Sequence, residues 1–182
     1  MAESALKALR AINHAIALVI GMGLLACAGF VLCDIILRQF GASFGGTDEI
    51  SGYVMAVVSA WGMSFTLLEL GHVRIDLLRR RFATPLRVVM DLLSLLVLAV
   101  AVSLIALQCW PVLEKSLINQ SRANTVLETP LWWVQLPWLA GWLWFALTAW
   151  LSLLAALVLV VQQRFIDVER AIGPSAVLEN EQ

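Results

Sequence analysis

Gly71–Phe82 reads GHVRIDLLRRRF, which sets Arg74, Arg79, Arg80 and Arg81 between two long apolar runs, with Arg87 just beyond. No other part of the chain concentrates positive charge in this way. Short loops rich in Arg and Lys stay on the cytoplasmic side of a membrane, so if the flanking runs cross a bilayer this loop lies inside and orients every other segment. Within it Ile75, Leu78 and Phe82 recur at i, i+3 and i+7, with the arginines mostly on other faces. That spacing predicts a short amphipathic helix over about 73–83 lying in the inner interface.

The composition says that the flanking runs do cross. Of 182 residues 61% are hydrophobic and 14% charged, and the mean hydropathy is +0.88. A soluble domain carries roughly 25% charged residues, so lipid must be part of this chain's solvent. A net charge of −1 gives no basis for a nucleic-acid partner. Cys27, Cys33 and Cys109 sit in apolar runs with no CxxC or Cys/His spacing, which reads as buried free thiols rather than a disulfide framework or a zinc site.

Working outward towards the N-terminus, the second span covers about 50–70, capped by Thr47 or Asp48, with Asp48 and Glu49 suited to the positive end of the helix. Its Gly52, Ala56, Ala60 and Ser64 recur at every fourth residue, a small-residue ladder of the kind that packs helices in lipid. Before it come the glycine-rich turn Gly41–Gly46 and a first span over about 15–37, led by a head with Lys7 and Arg10. From Ala15 to Cys33 no charge intervenes. That length suits a crossing rather than a signal core, so the lipobox-like Leu24–Cys27 reads as internal to a span. Asp34 and Arg38 stand one turn apart at its outer end and can pair. Ala17, Gly21 and Ala28 share a face that permits close approach of another helix.

Towards the C-terminus, Thr84-Pro85 starts a third span over about 86–113, longer than a perpendicular crossing needs, with a kink expected at Pro111. A polar outer loop follows, then a short outer helix over about 130–136, which Pro137 is expected to separate from a fourth span over about 138–161. Trp132, Trp133 and Trp138 crowd this junction as an outer aromatic belt. The head, the 71–87 loop and the tail hold nine Lys or Arg residues against three (Arg38, Lys115 and Arg122) in the outer loops. The expectation is a single all-α membrane domain over 1–182 with four spans and both termini cytoplasmic.

No catalytic or cofactor constellation emerges. The spans hold no mid-membrane Asp, Glu, Lys, Arg or His, where a self-sufficient transporter of charged solutes usually keeps one. His14 and His72 are the only histidines and make no second pair for haem. Gly62-Met63-Ser64 resembles a nucleophile motif, but His72 stands eight residues on, about 12 Å along one helix, beyond hydrogen-bond reach. Glu69, His72, Arg74 and Asp76 read either as a solvated interface cluster or as an anchor to a partner or to anionic headgroups.

Several stretches together carry a resemblance. DIILRQFG at Asp34–Gly41, Thr47-Asp48-Glu49-Ile50, GHVRIDL at Gly71–Leu77, Glu128–Trp132, and Leu136-Pro137 with Gly141 are similar, in order and spacing, to the small DctQ-type membrane subunit of tripartite ATP-independent periplasmic (TRAP) transporters. The pair before the second helix is often two glutamates in that family and is Asp48-Glu49 here. The resemblance implies a non-catalytic, four-span subunit of the bacterial inner membrane, without cofactor or metal. It implies a separate large multispan subunit that holds the substrate and sodium sites and that this chain braces, and a periplasmic binding protein that delivers an organic acid. Two other readings stand beside it: an autonomous small transporter, and the membrane anchor of a redox complex.

Overall fold

The computed structural model describes residues 2–69 and 84–162. It contains four helices: α1 Ala2–Gln39, α2 Thr47–Leu68, α3 Thr84–Ile118 and α4 Trp132–Val161. All four are long and apolar enough to cross a membrane. Among the described residues there is no strand, and the one isolated bridge pairs Arg122 with Pro130. The helices pack in the order α1, α2, α4, α3, with α1 also touching α4.

The α3–α4 hairpin is the best-covered part of the molecule. Val88, Leu95, Ala99, Val102, Ala106, Cys109, Leu113 and Ser116 are buried and Leu92 packs against them, so the buried face of α3 advances in alternating steps of four and three. On α4 the matching face runs through Trp142, Phe145, Ala149, Ser152, Ala156 and Leu159. Steps of this kind give the 3.5-residue period of a left-handed pair with interlocking side chains. Ala99, Ala106, Ala149 and Ala156 keep the two backbones close.

The helix ends are set by backbone turns. Gly41, at φ 76°, closes α1: its N–H donates to the Arg38 carbonyl, and that of Ala42 donates to Leu37. This is the paired closure that a left-handed residue permits. Gln120, at φ 48°, closes α3 in the same way, with Gln120 N–H on Leu117 and Ser121 N–H on Ser116.

Three expectations are corrected. The residue before α2 is Gly46, at φ 68°, and Thr47 and Asp48 lie inside the helix, since a left-handed glycine turns the chain there without a side-chain cap. Pro137 does not divide α4, which runs unbroken from Trp132. Its ring removes one donor six residues into the helix, and the Pro137 carbonyl gains the Trp61 indole N–H at 2.9 Å. α3 continues past Pro111 to Ile118 instead of ending near 113, and α1 begins at Ala2, so the head is the start of that helix. The interfacial helix expected over 73–83 lies outside the described residues.

Candidate functional site

Two carboxylates organise the end of the bundle that carries the α1–α2 turn and the α3–α4 loop. Asp34 is 1% exposed, and its two oxygens are fully used. Oδ2 takes the Arg38 guanidinium at 2.7–2.8 Å, while Oδ1 accepts from the Ser43 hydroxyl at 2.9 Å and the Phe44 amide at 2.8 Å. The last turn of α1 thereby holds the Gly41–Gly46 turn in place, and Phe44 stacks on Phe30 with ring centroids 5.3 Å apart. Glu49, in the first turn of α2, accepts from the Tyr53 hydroxyl and is surrounded by Thr125, Thr129 and the Leu127 amide. Gly46 lies under Leu127 so closely that a Cβ there would stand 2.5 Å from the Leu127 Cγ. The α1–α2 turn and the α3–α4 loop are thus clasped together.

Deeper in the bundle, tryptophans carry hydrogen bonds between helices. Trp61 of α2 donates to the Pro137 carbonyl, Trp144 of α4 to the Asn13 side-chain oxygen at 3.1 Å, and Trp150 of α4 to the Ser103 hydroxyl at 2.9 Å. Asn13 is fully buried and donates in turn to the Leu9 carbonyl. Gly141 is where α2 and α4 meet, since an added Cβ would stand 2.8 Å from the Ala60 Cβ and 2.8 Å from the Trp61 Cδ1.

The small residues singled out from the sequence divide between covered and open positions. Ala60 and Ser64 are buried, and the Ser64 hydroxyl donates to the Trp61 carbonyl at 2.8 Å. Ala17 and Gly21 line a groove of about 620 Å³ between α1 and α2, shared with Ser59, Gly62, Thr66 and Trp142. Ala56 is half-buried, whereas Ala28 and Gly52 are exposed. Among the described residues, a Cβ added at Gly21, Gly23, Gly29 or Gly52 would meet nothing within 4 Å.

The aromatic and charged positions divide too. Trp132 and Trp133 form an exposed edge-to-face pair, and Trp138 packs against Cys109, Leu113 and Leu139. Glu69 is exposed, and its backbone N–H donates to Phe65 at the end of α2. His72, Arg74, Asp76, Arg79, Arg80 and Arg81 lie outside the described residues. Sequence reasoning missed Asn13, and it noticed Gly141 only through the resemblance; a polar or vanishing side chain within an apolar run was the available signal in both cases.

Chemically the described residues offer packing and anchoring. No group of three or more His, Cys, Asp or Glu among them could hold a metal ion, and His14 lies 6.1 Å from the Phe65 ring centre. The central stretches of the four helices are without Asp, Glu, Lys, Arg or His. A family model described as the DctQ component of tripartite ATP-independent periplasmic transporters matches residues 27–159. No curated protein and no solved structure matches the chain.

Proposed function

The chain belongs to the DctQ component family of tripartite ATP-independent periplasmic transporters, and on that premise we propose that it is the small, non-catalytic membrane subunit of a sodium-driven uptake system for organic acids, bracing a separate large subunit. The observation that carries this reading is the set of open glycines, Gly21, Gly23, Gly29 and Gly52. Glycine inside a helix costs about 1 kcal/mol relative to alanine. Among the described residues none comes within 4 Å of where a Cβ would stand at these four, so close approach by a helix of another chain gives them a use.

Coverage points the same way. Of the apolar window of α1 6% of residues are buried within the chain, against 44% for α4. The helix most exposed thus carries three of the four open glycines. The bundle behind it is tied by indole hydrogen bonds and by the outer clasp, which suits a part that stays still while a partner moves. Substrate and sodium would be handled by the large subunit, with a periplasmic binding protein delivering the solute. The excess of Arg and Lys in the head, the 71–87 loop and the tail supports an inner-membrane chain with both termini cytoplasmic.

Reconstitution tests this directly. Liposomes holding the large subunit and this chain, given the binding protein, an organic acid and an inward sodium gradient, should accumulate the acid. Omitting this chain should abolish uptake. Uptake that persists without it, or uptake by this chain alone, would overturn the proposal.

A further inference from the structure

The outer loop encloses a recess of about 430 Å³ lined by Leu117, Gln120, Arg122, Pro130 and Trp132. Its frame is built from backbone. The left-handed Gln120 closes α3, Ala123 N–H donates to the Thr129 carbonyl at 2.9 Å, and Leu131 N–H donates to the Ser121 carbonyl at 3.0 Å. Arg122 sits on this short ladder opposite Pro130, and its Nη1 donates to the Glu128 carbonyl at 3.3 Å. That contact uses one of the five donors of a guanidinium, whose planar fork matches a phosphate. No acidic side chain lines the recess.

Its depth can be read from the helix contacts. Ala60 meets Gly141, thirteen residues into α2 and nine into α4, so the outer end of α4 lies about 6 Å deeper than that of α2. The recess therefore stands below the level of the exposed Asp48, beside the Trp132–Trp133 pair. Tryptophans of this kind settle at the headgroup level of a bilayer. Beside Arg122, Leu117 and Ile118 are 50% and 73% exposed, and the exposed Glu114 and Lys115 stand one turn further along α3.

We propose that this recess binds the phosphate of an anionic glycerophospholipid, with Arg122 holding the phosphate and the acyl chains lying along Leu117 and Trp132. A cation beside the apolar Leu117, Pro130 and Trp132, at the depth of the headgroups, is the complement of such a lipid. The site is separate from the open glycines of α1 and α2, and the proposal does not depend on the partner assigned above.

The test uses the full chain, stripped of lipid in detergent and titrated with phosphatidylglycerol, with adducts counted by native mass spectrometry. Phosphatidylglycerol should bind well above a diacylglycerol of the same chains. Arg122→Gln should weaken retention about tenfold or more, the factor for one charge-assisted hydrogen bond. Arg122→Lys should fall between, and Lys115→Gln, which removes a cation outside the recess, should change nothing. Equal binding of the two lipids by the wild-type chain would overturn the proposal without recourse to any variant. So would undiminished retention by Arg122→Gln, an equal loss in Lys115→Gln, or displacement of the lipid by inorganic phosphate. Loss of a soluble protein partner in Arg122→Gln with lipid retention intact would assign the recess to that protein instead.

Discussion

Gly141 and Gly52 are both glycines inside apolar helices, and their surroundings are opposite. At Gly141 an added Cβ collides with Ala60 and Trp61, while at Gly52 it meets open space. Gly141→Leu should therefore lower the thermal unfolding midpoint in detergent, with a cost of about 1–3 kcal/mol from overpacking. Gly52→Leu should leave the midpoint unchanged or raised, since helix propensity favours leucine. Equal midpoints for the two variants would mean that α2 and α4 do not meet at Gly141. Trp144→Phe tests a second contact: removing the indole leaves the buried Asn13 oxygen without its donor. The expected loss is about 0.5–1.5 kcal/mol, and it should vanish in an Asn13→Leu background. The pair was hard to read in advance because Asn13 stands at the edge of a polar head in the sequence, and only the fold shows it fully buried.

At the scale of elements, the four helices were legible from hydropathy and their internal geometry was not. The alternation of fours and threes along α3 is usually recognised as apolar positions on a polar background. In lipid both faces are apolar, so the only remaining trace is residue size at Ala99, Ala106, Ala149 and Ala156. One proline misled for a related reason. Pro137 signals a break in isolation, but the helix continues through it, packed against α2, with the Trp61 indole on its carbonyl. The clasp between the two loops was half visible: Asp34 and Arg38 have the spacing of a pair, while the Ser43 and Phe44 contacts come from a turn whose path the sequence did not specify. Asp34 is buried and Arg38 half exposed, so Asp34→Ala should destabilise the chain more than Arg38→Ala. Hydrogen exchange at Ser43, Phe44 and Gly45 should rise in the first variant and stay near wild type in the second. A larger effect from Arg38→Ala would show that the ion pair, rather than the turn held by Asp34, fixes this end.

For the whole molecule, the unequal cover of the helices is the feature with functional weight. α1 has 38 residues and extends about 57 Å, against a hydrocarbon core of about 30 Å. Among the described residues it meets α2, α4 and, at its last turns, the loop that follows it. Gly21 and Gly52 are open positions on α1 and α2, so replacing both with leucine should block a close partner without disturbing this chain's own packing. Ala60, though part of the same ladder in the sequence, cannot serve that purpose because it already packs on Gly141. The most direct measurement is co-purification of the tagged chain from its native cells in mild detergent, comparing wild type with Gly21→Leu/Gly52→Leu. The wild type should retain a large multispan membrane protein in stoichiometric amount, lost or weakened with the double variant, at an unchanged unfolding midpoint for the isolated chain. A wild-type chain that purifies alone, monodisperse and stable, would contradict it.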